Sequence, residues 1–306
     1  MTCASTRLGL VLTCAALVAT LSCGRARPQT FASPEGAVAA LVKAAQQDTA
    51  GDLLTLLGPD SKPLVESAEP ATARRNREVF LVAMSEGWEL VDDRAGGKQL
   101  VVGNESWPFP IPLVKDKDGW QFDAAAGADE VLGRRIGRNE LAVIRICRTY
   151  VAAQRLYAAW SRDGRPSGRY ATALRSDPGK QNGLYWPVSP GEKHSPLGEL
   201  VAEAAQEGRS LDPSRRGPSP FHGYYFAILT AQGASAPGGA REYIVNGEMT
   251  GGFALVAWPA QYGVTGIMTF IVAADGVVRE KDLGENVDVA KALKRYDPDP
   301  SWTTSH

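Results

Sequence analysis

Residues 129–160, with the sequence DEVLGRRIGRNELAVIRICRTYVAAQRLYAAW, carry the strongest helical pattern in this 306-residue chain. Apolar side chains recur here at intervals of three, four or seven residues, which is the spacing of one face of an α-helix. Asp129 is a suitable N-cap, whereas Gly133 and Gly137 weaken the first turns. The predicted inner face comprises Leu132, Ile136, Val143, Cys147, Tyr150, Gln154 and Tyr157. The pattern predicts a long helix that opens a second domain at residue 128.

The residues before this helix predict a smaller domain over residues 31–127. Ser33 and Pro34 are a favourable N-cap and first helical residue. Helices are expected near residues 34–45, 52–57 and 71–85, with Val79, Phe80 and Val82 as the buried positions of the third. Short strands follow at residues 88–91, 99–102, 111–114 and 120–122. Helices followed by an antiparallel meander indicate an α+β fold, similar in order to cone-shaped folds in which helices pack on a curved sheet.

The residues after the helix predict an α+β domain that extends to residue 302, with the long helix packed on an antiparallel sheet. Residues 161–190 and 209–220 are polar and rich in Gly and Pro, so we expect loops there, separated by a short helix at residues 197–205. β-Branched and aromatic residues predict strands at residues 224–230, 242–245, 253–258, 268–272 and 276–280. Asp275-Gly276 is a hairpin turn signal. We expect regular structure to end at residues 297–300.

The N-terminus has the composition of a secretory signal. Arg7 precedes a charge-free apolar run over residues 8–20, which is too short to span a bilayer. The run closes on Cys23, so residues 1–22 resemble a bacterial lipoprotein signal, in which the cysteine is lipidated, and residues 23–30 form a tether. Gly24 resembles the residue after the cysteine in outer-membrane lipoproteins. Ordinary secretion without a lipid is the alternative, because Thr20 stands where an aliphatic residue is usual.

Composition excludes several classes of function. The formal net charge of −1 provides no electrostatic attraction for nucleic acid. No apolar run after the signal is long enough to predict a membrane span. Once the signal is removed and Cys23 is lipidated, Cys147 is alone, so no intrachain disulfide is expected and a buried, inert thiol is the simplest interpretation.

Few residues suggest chemistry. His222 is the weak candidate for a general base, although no orienting partner is evident in the sequence. Arg134 and Arg138 share a helix face and are candidates for contacts with an acidic ligand or partner, and Tyr224, Tyr225 and Tyr262 for a groove that binds glycan or peptide. Asp282, Asp297 and Asp299 lack the spacing of a calcium loop. The sequence therefore predicts no metal and no cofactor.

The chain contains several long motifs, namely WPFPIP (107–112), RRIGRNEL (134–141), GLYWP (183–187), FHGYYF (221–226), TAQG (230–233), GFALVAWP (252–259) and YG (262–263). Together they resemble one uncharacterised bacterial envelope family, catalogued as domain of unknown function 2950. The resemblance covers about residues 31–302 and implies a location in the envelope without implying an activity. The second half also resembles, weakly, the globular domains of pilins and pseudopilins.

Three hypotheses about function follow from the sequence. The leading one is a lipid-anchored protein on the periplasmic side of the bacterial cell envelope, at the outer membrane, that binds or scaffolds an envelope protein or glycan without catalysis. The second is a periplasmic enzyme with a site around His222. The third is an accessory of a pilus or secretion assembly, suggested by the pilin-like second half.

Overall fold

The chain packs as two units that divide between Ala128 and Asp129. The computed structural model describes residues 27–47, 49–58, 61–65, 70–93, 96–160, 167–189, 191–192, 194–198 and 220–305. The predicted signal, Cys23, most of the predicted helix at 197–205 and the predicted loop at 209–220 lie outside these residues. Both units combine helices with antiparallel sheets, which confirms the predicted α+β class. No helix within the described residues is long and apolar enough to cross a bilayer.

Within the described part of the N-terminal unit, four helices precede the sheet. They are α1 (Pro34–Gln46), α2 (Ala50–Leu57), α3 (Lys62–Val65) and α4 (Pro70–Glu86). The predicted cap of α1 is confirmed, because Ser33 Oγ accepts a hydrogen bond from the Gly36 amide at 3.1 Å. This bond satisfies one of the amides that a helix N-terminus leaves without an intrahelical partner.

An antiparallel sheet follows the helices. Its strands are β1 (Trp88–Asp92), β2 (Lys98–Val102), β3 (Trp107–Pro108), β4 (Leu113–Asp116) and β5 (Gly119–Phe122). The order is β1-β2-β4-β5, with β3 also paired to β2. The two-residue β3 was not predicted, because so short a strand leaves no alternating pattern. The third predicted strand begins two residues later than expected, at Leu113.

The core of the N-terminal unit corrects the prediction for α4. Val79 is 62% exposed and Val82 is 58% exposed, so the expectation that both are buried was wrong. Met84 is buried instead, and the Phe80 ring packs 5.3 Å from that of Phe109. The apolar stripe of α4 is therefore rotated so that Phe80 and Met84, four residues apart, face the sheet.

The long helix, α5 (Ala124–Ala159), begins six residues earlier than a cap at Asp129 predicts. Asp123 caps it, since Asp123 Oδ1 accepts hydrogen bonds from the amides of Ala125 and Ala126 at 3.1 and 3.0 Å. Asp129 is therefore not the cap, and the helix continues through Gly133 and Gly137. The predicted inner face is confirmed at its centre, where Val143, Cys147, Tyr150 and Gln154 are buried.

A five-stranded antiparallel sheet forms the main layer of the C-terminal unit, in the order β17-β15-β14-β13-β8. Smaller pairings surround it. The strands are β6 (Ala173–Arg175), β7 (Gly183–Tyr185), β8 (Tyr224–Leu229), β9 (Ala231–Gln232), β10 (Arg241–Glu242), β11 (Ile244–Val245), β12 (Glu248–Met249), β13 (Ala254–Pro259), β14 (Met268–Ala273), β15 (Arg279–Asp282), β16 (Arg295–Tyr296) and β17 (Thr303–Thr304), and a short helix α6 spans Val287–Lys291.

Two loop predictions for the C-terminal unit were incomplete. The predicted loop at residues 161–190 contains β6 and β7, which pair in parallel. Regular structure continues past residues 297–300, because β17 adds to the sheet edge along β15. Short strands such as these are specified by the neighbour with which they pair, so their own composition gives little signal.

Register determines which side chains of the large sheet face α5. Directly paired residues point to one face and successive residues to opposite faces. Tyr224 contacts Glu140 of α5, and its ring lies 5.8 Å from that of Phe270, which places both side chains on the helix side. Tyr225 points to the other face, where its ring packs 5.9 Å from that of Trp258.

Candidate functional site

Three distant segments meet at the side chain of Glu140 on α5. Glu140 Oε1 accepts hydrogen bonds from the amides of Ile267 and Met268 at 2.9 and 3.0 Å. The Tyr224 hydroxyl lies 3.3 Å from the same oxygen and 3.0 Å from the Met268 carbonyl oxygen. We call Asn139, Glu140, Gly223, Tyr224 and residues 265–268 the Glu140 cluster.

Glycines make the close approach of these segments possible. A Cβ atom at Gly266 would overlap the Tyr224 hydroxyl, and one at Gly223 would lie 2.8 Å from both Asn139 Nδ2 and Thr265 Cβ. Asn139 Nδ2 donates to the Thr265 carbonyl oxygen at 2.9 Å, which ties the loop between β13 and β14 to the helix. The cluster is therefore a closely packed joint between α5 and the sheet.

The electrostatics of the cluster keep Tyr224 protonated. Burial, followed by the charge and hydrogen bond of Glu140, raises the pKa of the Tyr224 hydroxyl well above its ordinary value of 10.0. A hydroxyl that remains protonated donates its proton to the acceptors around it. Since Glu140 Oε1 already has three donors within reach, the cluster serves as a hydrogen-bonded clip between α5 and the start of β14.

His222 occupies a tight turn at the entry to β8. The Phe221 amide donates to the Tyr224 carbonyl oxygen at 2.8 Å, and the Tyr224 amide donates back at 3.0 Å. The two central residues have positive φ angles, 47° at His222 and 73° at Gly223, as a type I′ turn requires. His222 is buried, with its ring 4.5 Å from that of Phe221. Its position is thus specified by backbone geometry as well as by its imidazole.

Two substitutions at His222 should distinguish how much its backbone conformation contributes to stability from how much its imidazole ring contributes. Asparagine tolerates positive φ, so we expect His222→Asn to change the free energy of unfolding by less than about 1 kcal/mol. His222→Val places a β-branched residue in the left-handed region and should cost about 2 kcal/mol more than asparagine. Urea unfolding followed by circular dichroism measures both. Equal losses for the two variants would contradict a role for the turn.

The two arginines predicted to contact an acidic partner differ in their surroundings. Arg134 Nε lies 2.6 Å from Glu130 Oε1, an ion pair one helical turn apart. Arg138 is exposed, and no carboxylate in the described part of the chain lies within ion-pair distance of it. The shared helix face is as predicted, but only Arg138 presents a guanidinium without an acidic neighbour among these residues.

The three predicted tyrosines do not form one groove. Tyr224 is fully buried against α5, which corrects the expectation that it contacts a ligand. Tyr225 lies on the opposite face of the sheet, beside Trp258. Tyr262 lies in the loop after β13, where its hydroxyl donates to Asp282 Oδ2 at 3.0 Å, and this hydrogen bond raises the pKa of Tyr262.

Each aspartate considered for cation binding accepts a backbone hydrogen bond, Asp282 and Asp299 within a local turn and Asp297 from a distant loop. Asp297 Oδ1 accepts from the Ser235 amide at 2.8 Å, Asp299 Oδ1 from the Ser301 amide at 2.9 Å, and Asp282 Oδ1 from the Gly284 amide at 2.8 Å. Among the described residues, no group of three or more His, Cys, Asp or Glu side chains is arranged to hold a metal ion. Cys147 is buried in the core, and this burial raises the pKa of its thiol to about 12.

Sequence reasoning missed Glu140, although a signal for it was present. Glu140 lies four residues after Ile136 and three before Val143, in phase with the predicted inner face of α5. A carboxylate at such a position must find donors when the face is covered. The donors come from residues more than 80 positions away, so the sequence could indicate the need for partners but not their identity.

A family model described as "Protein of unknown function (DUF2950)" matches residues 28–305. Neither the curated proteins nor the solved structures provide a match. The likeness of the second half to pilins therefore remains a prediction. Because the match covers nearly the whole chain, the chain belongs to the DUF2950 family of proteins of unknown function.

Proposed function

We propose that this chain is a lipid-anchored protein on the periplasmic side of the bacterial envelope, held at the outer membrane, and that it binds or scaffolds another envelope component without catalysis. The observation that carries the anchoring proposal is the apolar run at residues 8–20 that closes on Cys23. A lipid-modified terminus bearing several acyl chains provides firm attachment.

The short distance along the chain from Cys23 to the fold supports this proposal. The Gln29 amide donates to the Leu56 carbonyl oxygen at 3.1 Å, and Phe31 exchanges two backbone hydrogen bonds of 2.8 Å with Trp120. Gln29 lies six positions after Cys23, so the connection comprises six Cα-to-Cα steps. Fully extended, they reach about 20 Å, so a lipid on Cys23 would hold the N-terminal unit close to the membrane surface.

The use of buried polar groups supports a non-enzymatic role. Gln154 donates to the Tyr150 hydroxyl at 3.0 Å and the Ala171 carbonyl oxygen at 2.9 Å, and it accepts from the Ala171 amide at 2.8 Å. Gln232 donates to the carbonyl oxygens of Pro237 and Gly239. These groups, like Glu140, are engaged in holding loops and strands of this chain together.

Cys23→Ala should release the protein from the membrane or block its maturation, because alanine has no thiol to carry a lipid. Cell fractionation gives the distribution, and mass spectrometry of the wild-type N-terminus gives the modification. Cys14→Ala is the matched control, since it removes a thiol within the apolar run and should leave attachment unchanged. An unmodified mature N-terminus would overturn the anchoring proposal.

A periplasmic enzyme with a site around His222 is the second candidate. The observation that favours it is a buried histidine at positive φ, because such backbone geometry often occurs at functional sites. His222→Asn should still complement a deletion strain if the role is structural. A variant that is stable, correctly localised and unable to complement would favour the enzyme and count against a scaffold.

A further inference from the structure

The solvent-facing side of α5 in the C-terminal unit is basic and partly apolar. We call this surface the arginine face, and it comprises Arg138, Leu141, Arg145, Arg148, Arg155 and Leu156. All six are exposed, and Leu141 and Leu156 retain 61% and 41% of their accessible surface. At 100° per residue, these six side chains fall within an arc of about 100° on the helix, opposite Val143 and Cys147. The face is therefore continuous.

No acidic residue of α5 neutralises the positive charge of the arginine face. Between residues 131 and 159 there are six arginines and one acid, and that acid is Glu140, which is turned inward to its cluster. Within the described residues, Arg138, Arg145 and Arg148 make no ion pair. Arg155 donates to the Ala274 carbonyl oxygen at 2.8 Å, which leaves its charge unneutralised.

The dimensions of the face suit an extended anionic surface. Arg138 and Arg155 are 17 residues apart, which is about 25 Å along a helix. Clustered arginines on a helix attract anionic lipid headgroups, and exposed leucines among them gain by entering the apolar boundary below the headgroups. A soluble polyanion would benefit from the charges but would offer nothing to Leu141 and Leu156.

We propose that the arginine face of α5 docks on the anionic surface of a lipid bilayer, as a second contact beside the lipid on the N-terminus. The proposal deepens the function proposed above and rests on it for the presence of a membrane. A covalent lipid and a basic patch together bind a membrane more firmly than either alone. Docking would also orient the C-terminal unit on the membrane.

The test uses the mature chain expressed without residues 1–23, so that no lipid contributes to binding. We expect it to sediment with vesicles of phosphatidylcholine mixed with phosphatidylglycerol, and to remain in solution with phosphatidylcholine alone. The triple variant Arg138→Gln, Arg145→Gln, Arg148→Gln should bind the mixed vesicles on the order of 100-fold more weakly. Raising the salt concentration should weaken wild-type binding, because salt screens exposed charges.

Two further variants test what else affects vesicle binding. One lowers the net charge without changing the arginine face, and the other removes an apolar contact from that face. Lys43→Gln, Lys117→Gln, Lys291→Gln removes three exposed cations elsewhere and should bind as the wild type does. Leu141→Gln should weaken binding several-fold while leaving thermal unfolding unchanged, since the side chain is exposed. Thermal unfolding of every variant verifies that binding is compared between folded proteins.

Three results would overturn the proposal. The first is equal binding by the triple arginine variant and the wild type. The second is equal binding to both kinds of vesicle. The third is arginine-dependent binding to a soluble acidic polysaccharide or protein without binding to mixed vesicles, which would assign the face to that partner instead. An unmodified Cys23 would count against the lipid anchor alone, so the two proposals fail separately.

Discussion

Glu140→Ala should lower the free energy of unfolding by about 3 kcal/mol. The carboxylate accepts from the amides of Ile267 and Met268 and lies within reach of the Tyr224 hydroxyl. Alanine removes these acceptors, and a partly buried donor left without an acceptor costs about 1–3 kcal/mol. Denaturant unfolding monitored by circular dichroism measures the loss.

Two control variants distinguish the loss of the hydrogen bonds to Glu140 from the loss of a negative charge on α5. Glu140→Gln keeps an oxygen that can accept from both amides, so it should lose about 1 kcal/mol. Glu130→Ala removes another glutamate of α5 whose partner is the surface residue Arg134, and it should change stability by about 0.5 kcal/mol or less. If Glu140→Ala were no more harmful than Glu130→Ala, the cluster would not stabilise the joint between α5 and the sheet.

The free energy of unfolding should fall steeply at alkaline pH. Burial raises the pKa of the Cys147 thiol from 9.0 to about 12, and raises the pKa values of the Tyr150, Tyr224 and Tyr296 hydroxyls well above 10.0. Above pH 9 for the cysteine and pH 10 for the tyrosines, the unfolded chain has released protons that the folded chain still holds. Unfolding then releases protons, so a rise in pH favours it.

The size of this effect follows from the number of groups. Each group contributes up to about 1.4 kcal/mol per pH unit, so the four together contribute up to about 5.5 kcal/mol per pH unit once all of them titrate in the unfolded state. Denaturant unfolding at pH values from about 8 to about 11 measures the slope. Tyr150→Phe should reduce this slope by the contribution of one group, about 1.4 kcal/mol per pH unit. A free energy of unfolding that stays constant across this range would contradict the prediction.

The candidate site was visible in the sequence only in part. His222 was singled out as a polar residue at the start of a strand, but its position in a turn with two positive φ angles depends on Gly223 and on the packing of Asn139 and Thr265 against it. The three tyrosines were grouped because aromatic side chains can line a groove that binds glycan or peptide. Register then separated Tyr224 from Tyr225, because successive residues of a strand face opposite sides.

Local patterns were sufficient for the class of fold and most of its elements. The Ser33 cap, the apolar spacing of α5 and the β-branched and aromatic content of β8, β13 and β14 each depend on residues close in the chain, so they can be recognised from the sequence. The predicted lipoprotein signal and the DUF2950 motifs are local in the same sense. These features specify secondary structure and family without requiring knowledge of distant contacts.

Only the folded chain determined what the polar residues do. Glu140 finds its two amide donors 127 and 128 residues away, and α4 packs Phe80 and Met84 against the core while it exposes Val79 and Val82. Both outcomes depend on which distant part of the chain packs against a given helix face. A short stretch of sequence does not reveal that partner, so it cannot predict the energy of the contact. The arginine face emerged for the same reason, because α5 had to bury its opposite side before Arg138, Arg145 and Arg148 could be recognised as a single exposed surface.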